Sequence, residues 1–163
     1  MAYRIRKQLS DICTAHRLPG HPGGCKYLHG HNYSIFITLE ADELNEQGFV
    51  IDFKDVKKFQ EVVNRWDHAT VLWEKDIFLR LIENGEFLGS PEEHAAIQDI
   101  MTKIIPVPFI PTVENMSKHL FEIATAFFRE FEGVRVVSLE MYETKTSSCE
   151  YTHTLLVESE EEK

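Results

Sequence analysis

The chain has 163 residues, 43% hydrophobic and 27% charged, the length and composition of one globular domain. A formal charge of −10 argues against the basic face that general nucleic-acid binding requires. No run reaches the roughly 18–20 apolar residues that span a bilayer, and nothing near Met1 reads as a signal peptide. Cys13, Cys25 and Cys149 are an odd set, which fits a reducing, cytoplasmic setting better than a disulfide framework.

In chain order, Tyr3 to Ala15 reads as a first strand, imperfectly patterned and bulged near Ser10-Asp11. It delivers His16-Arg17-Leu18 to a loop rich in glycine and proline, Pro19 to Gly24. A second strand runs to Leu39, with Tyr33, Ile35, Ile37 and Leu39 on one parity and Asn32, Ser34 and Thr38 on the other. Only Phe36 breaks that alternation. A turn around Asn45–Gly48 and a short extended run, Phe49-Val50-Ile51, follow.

Asp52 is placed to cap a helix, with Asp55 completing a variant capping box. Val56, Phe59, Val63 and Trp66 recur on the buried face of that helix. Asp76 to Asn84 forms a short helix, and Ser90-Pro91-Glu92-Glu93 opens another that Pro106 and Pro108 stop after Ile104. Thr112 caps the last long helix, whose stripe is Met116, Leu120, Ile123, Phe127 and Phe131 and whose end is Gly133. Two strands, 134–144 and 149–158, finish the chain. Val137, Leu139 and Met141 share a side with Glu143, which ends that apolar face with a carboxylate.

Antiparallel hairpins with helices grouped between them mean an α+β fold. Four main strands cannot close a barrel, so the sheet edges need cover, and pairing with further subunits supplies it. Residues 1–158 form one domain, with 73–110 an enlarged helical insertion and 159–163 an acidic tail.

The candidate chemistry gathers at the start of the second strand. Extending the period of two backwards puts His29 and His31 on the apolar side, about 6–7 Å apart. Gly30 between them allows a close approach. With His16 they make three imidazoles and leave one position open, the pattern of a catalytic zinc site. His21 is the rival third ligand, in a flexible loop. Three unrelated histidines at strand ends would show the same spacing. His94 and His119 read as exposed helix residues and His153 as a strand residue.

Cys25, with Lys26 beside it, could act as a thiolate base or nucleophile, whereas Cys13 reads as structural. Asp67-His68 could pair a carboxylate with an imidazole in a proton relay, or merely form a polar loop. Glu143 is either a solvated strand end or an anchor for a ligand bearing N–H donors.

Together these stretches resemble the 6-pyruvoyl-tetrahydropterin synthase and 6-carboxytetrahydropterin synthase family. The carriers are Ala15-His16-Arg17-Leu18, Cys25 before Leu28-His29-Gly30-His31-Asn32-Tyr33, and Val50-Ile51-Asp52-Phe53. Trp66-Asp67-His68-Ala69, Pro111-Thr112-Val113-Glu114-Asn115 and Tyr142-Glu143-Thr144 complete the series. The resemblance implies a tunnelling fold (T-fold), a four-stranded antiparallel sheet with helices on one side, assembled into trimeric barrels that stack as hexamers. It implies zinc on His16, His29 and His31, Cys25 as the base, and Asp67 with His68 as the relay. Glu143 would grip the pterin, with Thr112 nearby, in sites shared between subunits.

The implied substrate is 7,8-dihydroneopterin triphosphate, with Arg17 and Lys26 as candidate triphosphate contacts. Lys26-Tyr27-Leu28 leaves three residues between Cys25 and His29, a gap similar to that of the queuosine-type enzymes. Those release acetaldehyde as well as triphosphate and leave 6-carboxy-5,6,7,8-tetrahydropterin. The biopterin-type reaction, which keeps the three-carbon side chain, is the alternative. A zinc- and pterin-binding scaffold without turnover is the non-enzymatic one, and it would need neither Cys25 nor the Asp67-His68 pair.

Overall fold

The computed structural model describes residues 1–83 and 103–152. Its elements are β1 (Tyr3–His16), β2 (His29–Ala41), α1 (Phe53–Val63), β3 (Ala69–Trp73), α2 (Ile77–Glu83) and β4 (Ile104–Val107). They continue with α3 (Val113–Phe128), β5 (Arg135–Thr144) and β6 (Ser147–Thr152). The α+β class holds, but the sheet has six strands, in the order β4-β3-β1-β2-β5-β6.

The expected antiparallel set, β1-β2-β5-β6, forms its centre and one edge. Beyond β1 the chain adds β3 and β4, both paired in parallel. Ala69–Trp73 is a short apolar run without alternation, which periodicity alone cannot assign to a strand. Pro106 lies inside β4 rather than beyond a helix, and an edge strand tolerates a residue with no N–H. The 73–110 segment is therefore not helical throughout. Most of the expected Ser90–Ile104 helix, His94, His153 and the acidic tail lie outside the described residues.

α1 and α3 cover the core face. Asp52 caps α1, its carboxylate accepting from the Lys54 N–H at 2.8 Å, and Val56, Phe59, Val63 and Trp66 are buried as expected. Asp55 does not complete a capping box; its carboxylate takes Lys58 at 2.7 Å. α3 ends at Phe128, and Gly133 instead supplies positive φ (74°) to the turn before β5. Its buried stripe is Met116, Ser117, Leu120, Phe121, Ala124 and Phe128. Ile123, Phe127 and Phe131 pack at its margin, because the helix meets β5 and β6 on a broad face rather than a narrow seam. Phe49-Val50-Ile51 is irregular, yet Val50 and Ile51 are buried.

Three bulges shape the sheet. In β1, Gln8 pairs with Phe36 and Ser10 with Ile35, leaving Leu9 as the extra residue. That extra residue reverses the parity of the strand. Ile5 faces the core before it, Leu9 itself is buried, and Ile12, Thr14 and His16 face the core after it. In β5 the extra residues are Val137, which leaves Val136 as the buried partner in the core, and Glu143. Among the described residues no helix is long and apolar enough to cross a membrane.

Candidate active site

The antiparallel register opposes His16 to His29 and Thr14 to His31. Opposed residues point to the same face, so all three imidazoles project to the core side at one end of the β1–β2 pair. Gly30 fits between them because β1 runs close by: a Cβ there would lie 3.2 Å from the Thr14 carbonyl oxygen. The ring centroids are 4.6 Å (His16–His29), 5.0 Å (His29–His31) and 5.3 Å (His16–His31) apart. One ligand nitrogen from each lies within 4.8 Å of the others. His21 stands outside this group; its Nδ1 accepts from the Gly23 N–H at 3.0 Å.

Two of the rings are fixed in the tautomer a metal requires. His16 Nδ1 lies 2.7 Å from the Pro111 carbonyl oxygen and His29 Nδ1 2.8 Å from that of Tyr27. A carbonyl only accepts, so both Nδ1 atoms carry the proton and both Nε2 lone pairs are free. Burial lowers the pKa of His16, although the Pro111 bond opposes that shift, and neighbouring His29 and His31 lower it further. A neutral imidazole is the ligating form. Three converging imidazoles, two with Nε2 unprotonated, are a donor set that could hold a metal ion such as Zn²⁺.

Glu143 is aimed at the same point. It is the unpaired residue of the β5 bulge, between the Tyr142–Ser148 and Thr144–Ser147 pairs. Its Oε1 sits 3.7 Å from both His16 Nε2 and His31 Nε2. Fully buried Tyr33 lies beneath, its hydroxyl donating to Glu143 Oε1 at 3.3 Å and standing 3.3 Å from His16 Nε2. Burial, with Glu143 beside it, drives the Tyr33 pKa upward, so the phenol stays protonated and donates.

Cys25 is half-buried in a short 3₁₀ turn, Gly24–Lys26, and its carbonyl accepts from the Leu18 N–H at 2.8 Å, tying the loop to the end of β1. Lys26 Nζ lies over the Tyr27 ring at 5.1 Å. Arg17 Nε and Asp76 Oδ2, both buried and neither hydrogen-bonded, face each other at 3.3 Å. Thr112 caps α3, its hydroxyl 3.3 Å from the Asn115 N–H. Cys149 is partly buried, and burial raises its thiol pKa. His119 is not an exposed helix residue. It packs between Trp66 and Phe109, at centroid distances of 6.0 and 5.2 Å.

Asp67 and His68 do pair, His68 Nδ1 lying 2.9 Å from Asp67 Oδ2. Asp67 also accepts from the Cys13 N–H at 2.8 Å, and that bond, with His68, lowers its pKa. His68 has φ 54°, a left-handed conformation costing about 1–2 kcal/mol, held by its N–H on the Cys13 carbonyl at 2.7 Å. His68 lines an open cleft of about 530 Å³ with Cys13, His31, Asn32 and Thr70. Cys13 and Asn32 oppose each other in the register and share the face opposite the histidine trio. Within one chain, then, His68 meets the Cys13–Asn32 face of the sheet, and of the three histidines His31 borders the same cleft.

Residues 4–154 match the family model for 6-pyruvoyl tetrahydropterin synthase. The chain belongs to this family. A 6-carboxy-5,6,7,8-tetrahydropterin synthase of Haemophilus influenzae is 29% identical over 154 residues, 91% of this chain and 98% of that one. A protein of the same description from Rickettsia typhi is 33% identical over 141 residues, covering 86% and 94%. Among solved structures, an uncharacterised protein of Wolinella succinogenes superposes with a TM-score of 0.80 at 23% identity, covering 94% and 99%. The 6-pyruvoyl tetrahydropterin synthase of Plasmodium vivax gives 0.61 at 17%, covering 93% and 97%. These likenesses establish the T-fold, here with six strands in the sheet.

For this family member, reading the sequence alone missed three parts of the site: Tyr33 and the carbonyls of Pro111 and Tyr27. Tyr33 had a signal, since it shares the parity of His29 and His31 one step further into the core. A backbone carbonyl has none, because any residue carries one.

Proposed function

We propose that this chain is a zinc enzyme converting 7,8-dihydroneopterin triphosphate and water to 6-carboxy-5,6,7,8-tetrahydropterin, acetaldehyde and triphosphate, as in queuosine synthesis. The observation that carries the reading is the convergence of three imidazoles, two of them fixed in their tautomer by backbone carbonyls, beside Glu143 in a member of this family. The relatives named for that carboxylate product, and the three-residue gap after Cys25, favour this branch over the biopterin one.

His16, His29 and His31 would hold the metal, which when bound would supply a Lewis acid that acidifies the C–H beside a substrate hydroxyl. Cys25 removes that proton as the thiolate. His68, oriented by Asp67, returns protons as the side chain is cleaved. Glu143 accepts from the pterin ring N–H and exocyclic amine, kept in place by the Tyr33 hydroxyl. Thr112 closes the ring pocket, and Arg17 and Lys26 stand at the triphosphate end.

With Asp67 bonded to Cys13 and His68 outside the cluster of three imidazoles, each site is completed by a neighbouring subunit in a trimer or hexamer. The three free thiols suit a cytoplasmic enzyme. Two experiments test this. Mass spectrometry of the product should find the carboxylated pterin; a pterin that keeps all three side-chain carbons assigns the biopterin branch instead. Mixing inactive Cys25→Ala and inactive His68→Ala subunits should regain activity if sites are shared, and would regain none if every site were built within one chain.

A further inference from the structure

His16, the most buried of the three imidazoles, leans on the turn that leads into α3. That turn, Ile110-Pro111-Thr112, is closed by the Thr112 N–H on the Ile110 carbonyl at 2.8 Å. Proline at its centre suits it, since the ring holds φ near the value a three-residue turn needs. The Pro111 carbonyl is left outside the closed ring, and it is this oxygen that takes the His16 Nδ1 proton at 2.7 Å.

The Ile110 carbonyl has a second donor. Asn115, in the first turn of α3, reaches back with Nδ2 to the same oxygen at 3.0 Å. Its backbone N–H points to Thr112 Oγ1 at 3.3 Å. One residue thus grips both ends of the three-residue turn, the side chain on Ile110 and the backbone on Thr112. Ordinary capping accounts for the second contact but not for the first. Its neighbours do not duplicate it: Glu114 is exposed, and the Ser117 hydroxyl bonds the Val113 and Cys149 carbonyls.

We propose that Asn115 is the positioning residue of the histidine centre: by clamping the Ile110–Thr112 turn it keeps the Pro111 carbonyl on His16 Nδ1. His16 Nε2 is thereby held as a free lone pair facing His29 and His31. The consequence for metal binding rests on the zinc reading above; the clamp itself belongs to the metal-free protein.

Asn115→Asp separates the clamp from the helix. The carboxylate cannot donate to Ile110, whereas an acid in the first turn of a helix is favourable, so the thermal midpoint should hold or rise. In the metal-free variant, imidazole-nitrogen NMR under mildly alkaline conditions should show His16 as a mixture of tautomers, against a single Nδ1-protonated form in the parent. Zinc affinity, measured by competition with a chromophoric chelator, should fall about tenfold, the low end of the loss seen when an outer-shell partner is removed. Asn115→Ser, too short to reach Ile110, should do the same, and it decides the matter if Asn115→Asp does not fold. Parent-like nitrogen signals together with parent-like zinc affinity in the folded variant overturn the proposal. If the parent binds no zinc but the variants still lose the single tautomer, the clamp stands and the zinc reading falls.

Discussion

Tyr33→Phe isolates one hydroxyl at the base of the site. The ring is fully buried, and phenylalanine fills the same volume, so no cavity forms. What is lost is one donor standing 3.3 Å from Glu143 Oε1 and 3.3 Å from His16 Nε2. Both distances exceed the usual O–H···O value, and one proton can serve only one of the two acceptors. Glu143 is partly exposed and regains water when the hydroxyl goes. The stability loss should therefore be about 1 kcal/mol, the ordinary net value of a single hydrogen bond. In a domain of this size that lowers the thermal midpoint by about 2–4 °C. Zinc content should not change, because the substitution removes no ligand nitrogen. Released from Tyr33, Glu143 should hold the pterin less well and raise KM about fivefold, equivalent to ~1 kcal/mol, with kcat changing less. Thermal melts, metal analysis and steady-state kinetics measure all three. A hundredfold fall in kcat at unchanged KM would refute the reasoning, because Tyr33 would then take part in proton transfer rather than hold Glu143.

Three further outcomes follow from the same geometry. His29→Ala or His31→Ala should strip zinc yet leave a folded protein by circular dichroism, since both rings are partly exposed and lie at the end of the core; zinc retained at parent levels would remove that residue from the ligand set. Cys25→Ala should abolish turnover while zinc and substrate still bind, whereas Cys13→Ala, whose exposed thiol bonds only Asn32 among the described residues, should alter stability by less than about 1 kcal/mol; near-normal turnover in Cys25→Ala moves the base to His68. Burial lowers the His16 pKa from the ordinary 6.5, so near and below that pH the unfolded chain binds the proton first. His16 therefore adds stability that is present above 6.5 and lost as pH falls through its folded value. In the metal-free protein the urea midpoint should fall on acidification more steeply than in His16→Gln, and identical slopes would contradict the assigned shift.

The centre of this fold was legible because β2 alternates cleanly. Tyr33, Ile35, Ile37 and Leu39 set a parity that carries His29 and His31 with them, and the structure keeps it. β1 was harder, since the extra residue at Leu9 reverses its parity between Ile5 and Ile12; the pattern betrays a bulge without saying which face His16 will take. β3 has no alternation to read, and Pro106 in β4 argues against a strand unless the strand is known to lie at an edge. Val137 and Glu143 share a simple parity in the sequence, yet each became the unpaired residue of a bulge; Glu143 keeps the parity of Leu139 and Met141 and so reaches the imidazoles from the core face. The pairing of Asp67 with His68 was foreseen as chemistry, but not the left-handed backbone that presents it on the Cys13–Asn32 face, which depends on contacts with Cys13 from 54 residues earlier. Short-range patterns carried His29 and His31; the long-range register brought in His16 and the rest.

The most direct test of the account is the fate of the carbon–carbon bond in the substrate side chain. Zinc-loaded protein should be incubated with 7,8-dihydroneopterin triphosphate, the volatile aldehyde trapped with a hydrazine reagent, and triphosphate quantified in the same sample. Equal yields of acetaldehyde and triphosphate, abolished together in Cys25→Ala, are the predicted result. Triphosphate released without acetaldehyde would contradict the assignment and make this chain a biopterin-type synthase.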